Sequence, residues 1–496
     1  MKSRRLIATI AVVIFAGVGC ADTIDSPDKP GSSPAPAPSF GSAAEGKGDN
    51  PSSTITPESC PGGAPKTVEG RPAAWTLVIW QAADNNLEEA IVDDLNEMER
   101  GHGGSPNVNV LVQLDRRSED GSWRYEVQPG DDPDEIESKL VGHSDDELDS
   151  GNWKNYAAFG EWATVCYPAE RYMTVVEGHG GGWSPPPDVE EEDDGRSSNR
   201  VRQKGDPARL IAPDDTNGSE MSIPEMQRAL AHFRKATERQ GDPSWMNRLS
   251  IYGSDACLMQ TVEVLRSLHK TARFIVGSAE NEPGPGWPYY TVIDDLTTRP
   301  YYYAQSPGEL AGAVVSNYGK SYGSRGGQGD RNNYTLTVAD NRHVDSTVDK
   351  FAGVSELLLE VLDEIKPQLK AAREDAVVFA DSRWSSGVYV DAAHLLADLR
   401  DRLVAQDIVP APGEHWEGDE KWRDLREAIE TLLDDVDRRL ITDATFGSEL
   451  EEGVSGLSVF APTSAGDWRL DFSTYAESRF AAETKWDEVI ELAFIE

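Results

Sequence analysis

The chain has 496 residues, 38% of them hydrophobic, which suffices to bury a core well beyond that of a minimal domain and excludes disorder of the whole chain. Against 47 basic residues stand 87 acidic ones, a formal net charge of −40; such a surface repels phosphate backbones and anionic lipid, and excludes nucleic acid as a partner. The same field attracts cationic peptides, and it suits a solubility device or a high-salt adaptation equally well.

Lys2, Arg4 and Arg5 precede an apolar run over residues 6–19, too short to span a bilayer but of the right length for the core of a signal peptide. The run ends in Gly17-Val18-Gly19-Cys20, similar to the lipobox of bacterial lipoproteins apart from Gly17, where leucine is usual. Residues 1–20 are therefore expected to direct export, with Cys20 as the lipidated residue. The protein would then be a cell-envelope lipoprotein of the outer membrane or surface, touching membrane only through its N-terminal lipid; an ordinary cleaved signal would make it secreted. Residues 21–70 are rich in Pro, Ser, Gly and Ala, as in Pro34-Ala35-Pro36-Ala37-Pro38, and read as a flexible tether. Four cysteines are present. Beyond Cys20 and Cys257, which has a chemical use, Cys60 and Cys166 are expected either to pair or to remain thiols, since four cysteines allow three pairings.

Residues 71–496 are expected to fold as one unit, with a core over 74–300 and a C-terminal subregion over 301–496. A strand over 75–80 leads into Leu87, Ala90, Ile91, Leu95 and Met98 at helical spacing. Further strands are expected over 108–114, 172–176, 249–252 and 274–276; their continuous apolar runs suit an α/β fold with a mostly parallel sheet flanked by helices. Ser222-Ile223-Pro224-Glu225 reads as a capping box. Beyond residue 300 the pattern becomes more helical, with Trp422, Leu425, Ile429, Leu432, Leu433, Val436 and Leu440 on one face and a late strand over 456–460.

Open α/β sheets place their chemistry beyond the carboxyl ends of the strands. The strand over 172–176 runs into Glu177-Gly178-His179-Gly180-Gly181-Gly182-Trp183, and the strand over 249–252 into Gly253-Ser254-Asp255-Ala256-Cys257-Leu258-Met259. A histidine and a cysteine are thus offered on neighbouring strand ends. Leu258, Met259, Val262 and Leu265 repeat at helical spacing, so Cys257 is expected at a helix start, which together with an imidazole would favour the thiolate. The glycines after His179 allow a backbone amide to approach an oxyanion. Taken by themselves these features also suit a structural histidine and a buried cysteine.

The chain resembles the clostripain family of cysteine peptidases. The likeness is carried by Trp75-Thr76-Leu77-Val78-Ile79 leading to Asp84-Asn85-Asn86-Leu87, by Tyr167-Pro168-Ala169, by His179 to Trp183, and by Asp255-Ala256-Cys257-Leu258-Met259 with Val262-Glu263. It continues through Ser278-Ala279-Glu280-Asn281-Glu282-Pro283, Gly286-Trp287 and Gly456-Leu457-Ser458-Val459-Phe460-Ala461-Pro462. The resemblance implies a caspase-like fold and hydrolysis of peptide or protein substrates by a Cys/His dyad. Cys257 would be the nucleophile, His179 its acid/base partner, the Gly180 and Cys257 amides the oxyanion hole, and Asp255 part of the pocket for a basic side chain before the cut.

Gly286-Trp287-Pro288-Tyr289 departs from the family pattern, having proline where an acidic or amide residue is common; Glu280 and Glu282 are candidates to supply the charge instead. An insertion after Trp183 carries Arg196, Arg200, Arg202 and Lys204, at which self-cleavage is expected by analogy with family members processed between the two motifs. No metal site is expected from spacing: His102, His143 and His394 lack zinc-type pairing. Calcium is the one cofactor the resemblance allows, with Asp214, Asp215, Asn217 and Glu220 as an oxygen-rich patch that does not follow an EF-hand loop. The contrasting reading is a surface lipoprotein that keeps the fold and binds peptides or proteins without cutting them.

Overall fold

The computed structural model describes residues 56–119, 121–183, 211–238, 249–323, 326–329, 332–379, 388–411, 418–450, 452–464 and 475–495. The signal segment, Cys20, most of the tether and the 184–210 insertion with Arg196, Arg200, Arg202 and Lys204 lie outside the described residues.

The strands are β1 (Ala73–Ala83), β2 (Val108–Arg116), β3 (Ser122–Glu126), β4 (Lys139–Ser144), β5 (Ala169–Glu177), β6 (Ile211–Asp214), β7 (Ser219–Met221), β8 (Leu249–Asp255), β9 (Phe274–Gly277), β10 (Thr335–Asp340), β11 (Val378–Phe379), β12 (Tyr389–Asp391), β13 (Ile441–Phe446) and β14 (Ser458–Phe460). Nine of them form one sheet in the order β13-β10-β9-β8-β5-β1-β2-β3-β4. Its centre, β2-β1-β5-β8-β9, is parallel throughout, while β3, β4, β10 and β13 extend the two edges antiparallel.

The two-residue period of β1 explains why its run is almost continuously apolar. Trp75, Leu77 and Ile79 enter one core, and Val78, Trp80 and Ala82 enter the other, so both faces are covered, as parallel sheets require. Helices α1 (Glu88–Gly101), α5 (Tyr289–Thr298) and α7 (Pro307–Ser321) pack on the first face. On the second lie α2 (Trp153–Cys166), α3 (Ile223–Thr237) and α4 (Val262–Ser267), with the long α8 (Val344–Asp375) outside them. Ser222 caps α3 as its sequence suggests: its hydroxyl accepts from the Glu225 amide, and the Glu225 carboxylate accepts from the Ser222 amide. The amphipathic stretch beyond residue 420 is a helix over Glu420–Asp435 that finishes in a wider turn over Val436–Leu440.

Cys60 and Cys166 are joined by a disulfide. With Lys66 N–H donating to the Cys166 carbonyl at 2.7 Å, the bond fastens the segment around Cys60 to the end of α2. Because it closes a segment of 106 residues, the Cys60→Ser/Cys166→Ser double variant is expected to lose about 4 kcal/mol of unfolding free energy, read as a lower urea midpoint. No helix among the described residues is long and apolar enough to cross a membrane.

Candidate active site

Strands β5 and β8 lie side by side in parallel, with Glu177 in register with Asp255 and the Gly178 amide donating to the Asp255 carbonyl at 3.1 Å. His179 and Cys257 each stand two residues beyond that last pair, so the sheet delivers imidazole and sulfur to the same carboxyl edge. Gly180 then runs against the cysteine backbone. A Cβ there would sit 2.4 Å from the Cys257 carbonyl oxygen and 3.1 Å from its amide nitrogen, a distance only glycine permits.

The expectation of Cys257 at a helix start is corrected. Leu258 adopts a left-handed conformation (φ 62°), which a helix cannot continue through. The helix begins instead at Val262, capped by the Thr261 side chain accepting from the Val264 amide at 3.0 Å. Cys257 therefore sits in an irregular turn and gains no helix-terminus field. Its Sγ accepts from the Glu282 amide at 3.2 Å. The Leu258 amide is directed to the Glu280 carbonyl at 3.2 Å.

His179 is held from two sides. Its Nε2 pairs with Asn86 Oδ1 at 2.8 Å, and its carbonyl accepts from the Ala212 amide at 3.2 Å. Asn86 was present in the Asp84-Asn85-Asn86-Leu87 motif, but spacing gave it no role. Beyond the glycines, Trp183 packs edge-on against Tyr475 at 4.9 Å, and the Tyr389 hydroxyl donates to the Trp183 carbonyl at 2.8 Å, so the C-terminal subregion encloses the histidine loop.

Four buried carboxyls, Asp94, Glu177, Asp255 and Glu282, are gathered about the end of β8. Asp255 Oδ2 accepts from the Trp287 amide at 2.9 Å, and Glu177 Oε2 accepts from Gln81 Nε2 at 3.0 Å. Gly286 (φ 58°) passes so close that a Cβ would fall 2.9 Å from Asp255 Oδ2 and 3.2 Å from Asp94 Oδ2. Burial, followed by mutual repulsion, pushes Asp94 and Glu282 well above the usual carboxyl range and Glu177 to about 8, and burial raises Asp255. Of the two candidates for added charge, Glu282 joins the group, whereas Glu280 caps its own turn by accepting from the Asn281 amide at 2.7 Å.

A raised carboxyl has a definite stability signature. Folding takes up a proton on Glu177 between its ordinary value of 4.5 and its folded value of about 8, so its contribution is fully present below 4.5 and is lost as pH rises through about 8. Glu177→Gln removes that dependence. Its melting temperature should therefore exceed that of the parent by a few degrees near pH 8 and by much less near pH 5, as read by calorimetry.

The profile of the clostripain family matches residues 79–492. The chain belongs to the clostripain family. Clostripain of Hathewaya histolytica is 26% identical over 252 residues, a match spanning 45% of this chain and 42% of that protein. A secreted C11 cysteine protease from Bacteroides thetaiotaomicron, solved with an irreversible peptide inhibitor, is similar over 84% of this chain and 99% of its own, at 19% identity and a TM-score of 0.53. An inactive zymogen C11 protease from Parabacteroides distasonis is similar over the same shares at 17% identity and 0.54. At these identities the two structures establish the fold alone, and they match the α/β architecture described above.

Within this clostripain-family fold, the oxygen-rich patch seen in the sequence does not converge as a unit. Asp215 turns to Arg117 at 3.7 Å, while Asp214 is fully buried and joins Asp84 and Glu147 instead. Asn217 assists by donating its amide to Asp214 Oδ1 at 2.7 Å.

Proposed function

We propose that this chain is a cysteine endopeptidase in which the Cys257 sulfur attacks the scissile carbonyl carbon. The observation that supports this most directly is the pairing of Glu177 with Asp255, which sets His179 and Cys257 at adjacent strand ends within a clostripain-family fold. The charge developing on the carbonyl oxygen is met by the Gly180 and Cys257 amides. With Nε2 held by Asn86, Nδ1 is the nitrogen that takes the thiol proton as the sulfur attacks and passes it to the leaving amine as the C–N bond breaks. A thioester joins the acyl part of the substrate to Cys257. Water then adds to it as His179 removes a proton, and the acid leaves with restoration of the thiol.

The residue before the cut is proposed to be Arg or Lys, received by Asp255 with Asp94, Glu177 and Glu282 behind it. These neighbours make good the charge missing at Pro288, which instead serves as the cap residue of α5. Processing after Arg196, Arg200, Arg202 or Lys204 would follow from the same specificity. Export is supported by the Cys60–Cys166 disulfide, a feature of oxidising compartments, and by the secreted relative; anchoring through Cys20 is the finer form of that reading. The test is hydrolysis of fluorogenic peptides bearing Arg, Lys, Asp or neutral residues before the bond. Cleavage confined to the basic members is the expected result, and no cleavage of any peptide by processed protein overturns the reading.

A further inference from the structure

The β5–β8 ladder ends at the Glu177–Asp255 pair, two residues short of the imidazole and the sulfur, so the strands alone do not set the spacing of those two groups. The C-terminal subregion reaches both loops beyond that point. Strands β11, β12 and β14 make a small separate sheet in which Tyr389 of β12 stands opposite Phe460 of β14. Tyr475 joins them in one aromatic group, its ring 4.9 Å from that of Phe460, which in turn lies 5.8 Å from Tyr389.

On one side this group grips the chain that follows His179. The Tyr389 hydroxyl donates to the Trp183 carbonyl at 2.8 Å, with the Gly181 carbonyl 3.3 Å away. The Tyr389 ring lies against Gly182 so closely that a Cβ there would fall 2.8 Å from it. Tyr475 meets the Trp183 ring edge-on at 4.9 Å. Three successive residues of the histidine loop are thus fixed from outside the sheet.

On the other side the same group is tied to the chain that follows Cys257. Glu263, in the first turn of α4, is 0% exposed, and its Oε1 accepts from the Phe460 amide and from the Tyr475 hydroxyl, each at 2.9 Å. A carboxyl is costly to bury, and this one spends its bonds on two members of the aromatic group. The Ser458 amide adds a bond to the Gln260 carbonyl at 3.0 Å, beside a parallel bridge between Thr261 and Ser458.

We propose that Glu263, Tyr389 and Tyr475 are positioning residues, forming a bracket from the C-terminal subregion that sets the His179 loop relative to Cys257. They act through the loop rather than on the substrate. The inference rests on the reading of His179 and Cys257 as the reacting pair, and it gives the C-terminal subregion a part in catalysis: a small displacement of the imidazole from the sulfur costs rate even when its cause lies far from the chemistry.

Tyr389→Phe keeps the ring against Gly182 and removes only the hydroxyl. Glu263→Met removes the acceptor shared by Phe460 and Tyr475, whereas Glu263→Gln keeps an accepting oxygen; burial raises the Glu263 carboxyl, which makes the neutral amide a close substitute. Tyr389→Phe and Glu263→Met should each lower kcat about 10- to 100-fold with KM within about twofold of the parent. The double variant should lose little more than either alone, because both open one bracket, and Glu263→Gln should retain most of the rate. Inactivation of Cys257 by iodoacetamide needs no substrate: with the imidazole loosely set, the midpoint of its pH profile should rise by about half a unit or more in the two impaired variants. Amide exchange in residues 179–183 should quicken in the same two. Unchanged exchange overturns the bracket. Faster exchange with the parent's kcat and the parent's iodoacetamide profile overturns the positioning and leaves the three residues a part in stability alone. Failure of the reacting pair is seen in the parent itself, as neither hydrolysis nor rapid loss of Cys257 to iodoacetamide, and the exchange of residues 179–183 then still decides the bracket.

Discussion

Cys257→Ala will reduce peptide hydrolysis to background, and His179→Ala will lower it roughly 10⁴-fold or more, because residues that act as one unit each carry most of the unit's effect. Neither change should disturb folding much. Cys257 lies in a turn whose backbone is held through Leu258 and Gly178, and the His179 carbonyl keeps its bond to Ala212. Melting temperatures near that of the parent, with labelling by a peptidyl electrophile lost in Cys257→Ala, are the expected results. Asn86→Ala is the more discriminating variant. It removes the acceptor at 2.8 Å from Nε2 and leaves Cys257 untouched, so it should lower kcat about 10- to 100-fold and shift the pH–rate profile by freeing the ring to change tautomer. A rise in KM alone, with kcat and the profile unmoved, would assign Asn86 a purely structural part. Full hydrolysis by Cys257→Ala would overturn the assignment of the nucleophile.

Much of this site was legible in the sequence because its parts are local. The strand expected over 75–80 is the middle of β1, Ala73–Ala83, and the two strand ends that carry His179 and Cys257 are neighbours as their motifs implied. The capping box at Ser222 was read correctly for the same reason, since its partners are three residues apart. The helix expected at Cys257 was a different matter. Leu258, Met259, Val262 and Leu265 are spaced as in a helix, yet Leu258 and Met259 are buried by the turn itself, with the Leu258 and Gln260 amides tied across to Glu280 and Ser278. Periodicity reports burial, and burial here has two causes.

The edge strands were hidden by composition. Strands β3 and β4 mix Arg124, Lys139 and His143 with short apolar stretches, and β13 keeps three exposed residues in succession, so none shows the continuous run that marked the central strands. The carboxyl clusters were hidden by distance along the chain. Among 87 acidic residues, nothing local singles out Asp94 from a helix face or Asp115 from a strand end; only the tertiary fold brings Asp94 to Asp255 at the end of β8, and Asp115 to Asp214 at the end of β6, a strand of a separate two-stranded sheet.

That clustering supports the second large effect. Asp255→Asn should lower kcat/KM for substrates with Arg or Lys before the bond by about 100-fold or more while changing neutral substrates little, because a buried carboxylate and a guanidinium lose most when one partner is removed. Asparagine can keep the place of the carboxylate, and its side-chain oxygen can still accept from the Trp287 amide now 2.9 Å away. The pocket would remain shaped but less charged. The neighbours sharpen the expectation. Burial and mutual repulsion raise Glu177 to about 8 and hold Asp94 and Glu282 well above the usual carboxyl range. A basic side chain entering beside them lowers those values, so binding releases protons and must strengthen as pH rises toward 8. The affinity for an Arg-bearing inhibitor should therefore increase between about pH 6 and about pH 8, and Glu177→Gln should blunt that rise. An affinity that falls over the same interval, or a loss in Asp255→Asn equal for neutral and basic substrates, would remove Asp255 from specificity and leave the buried acids a purely structural part.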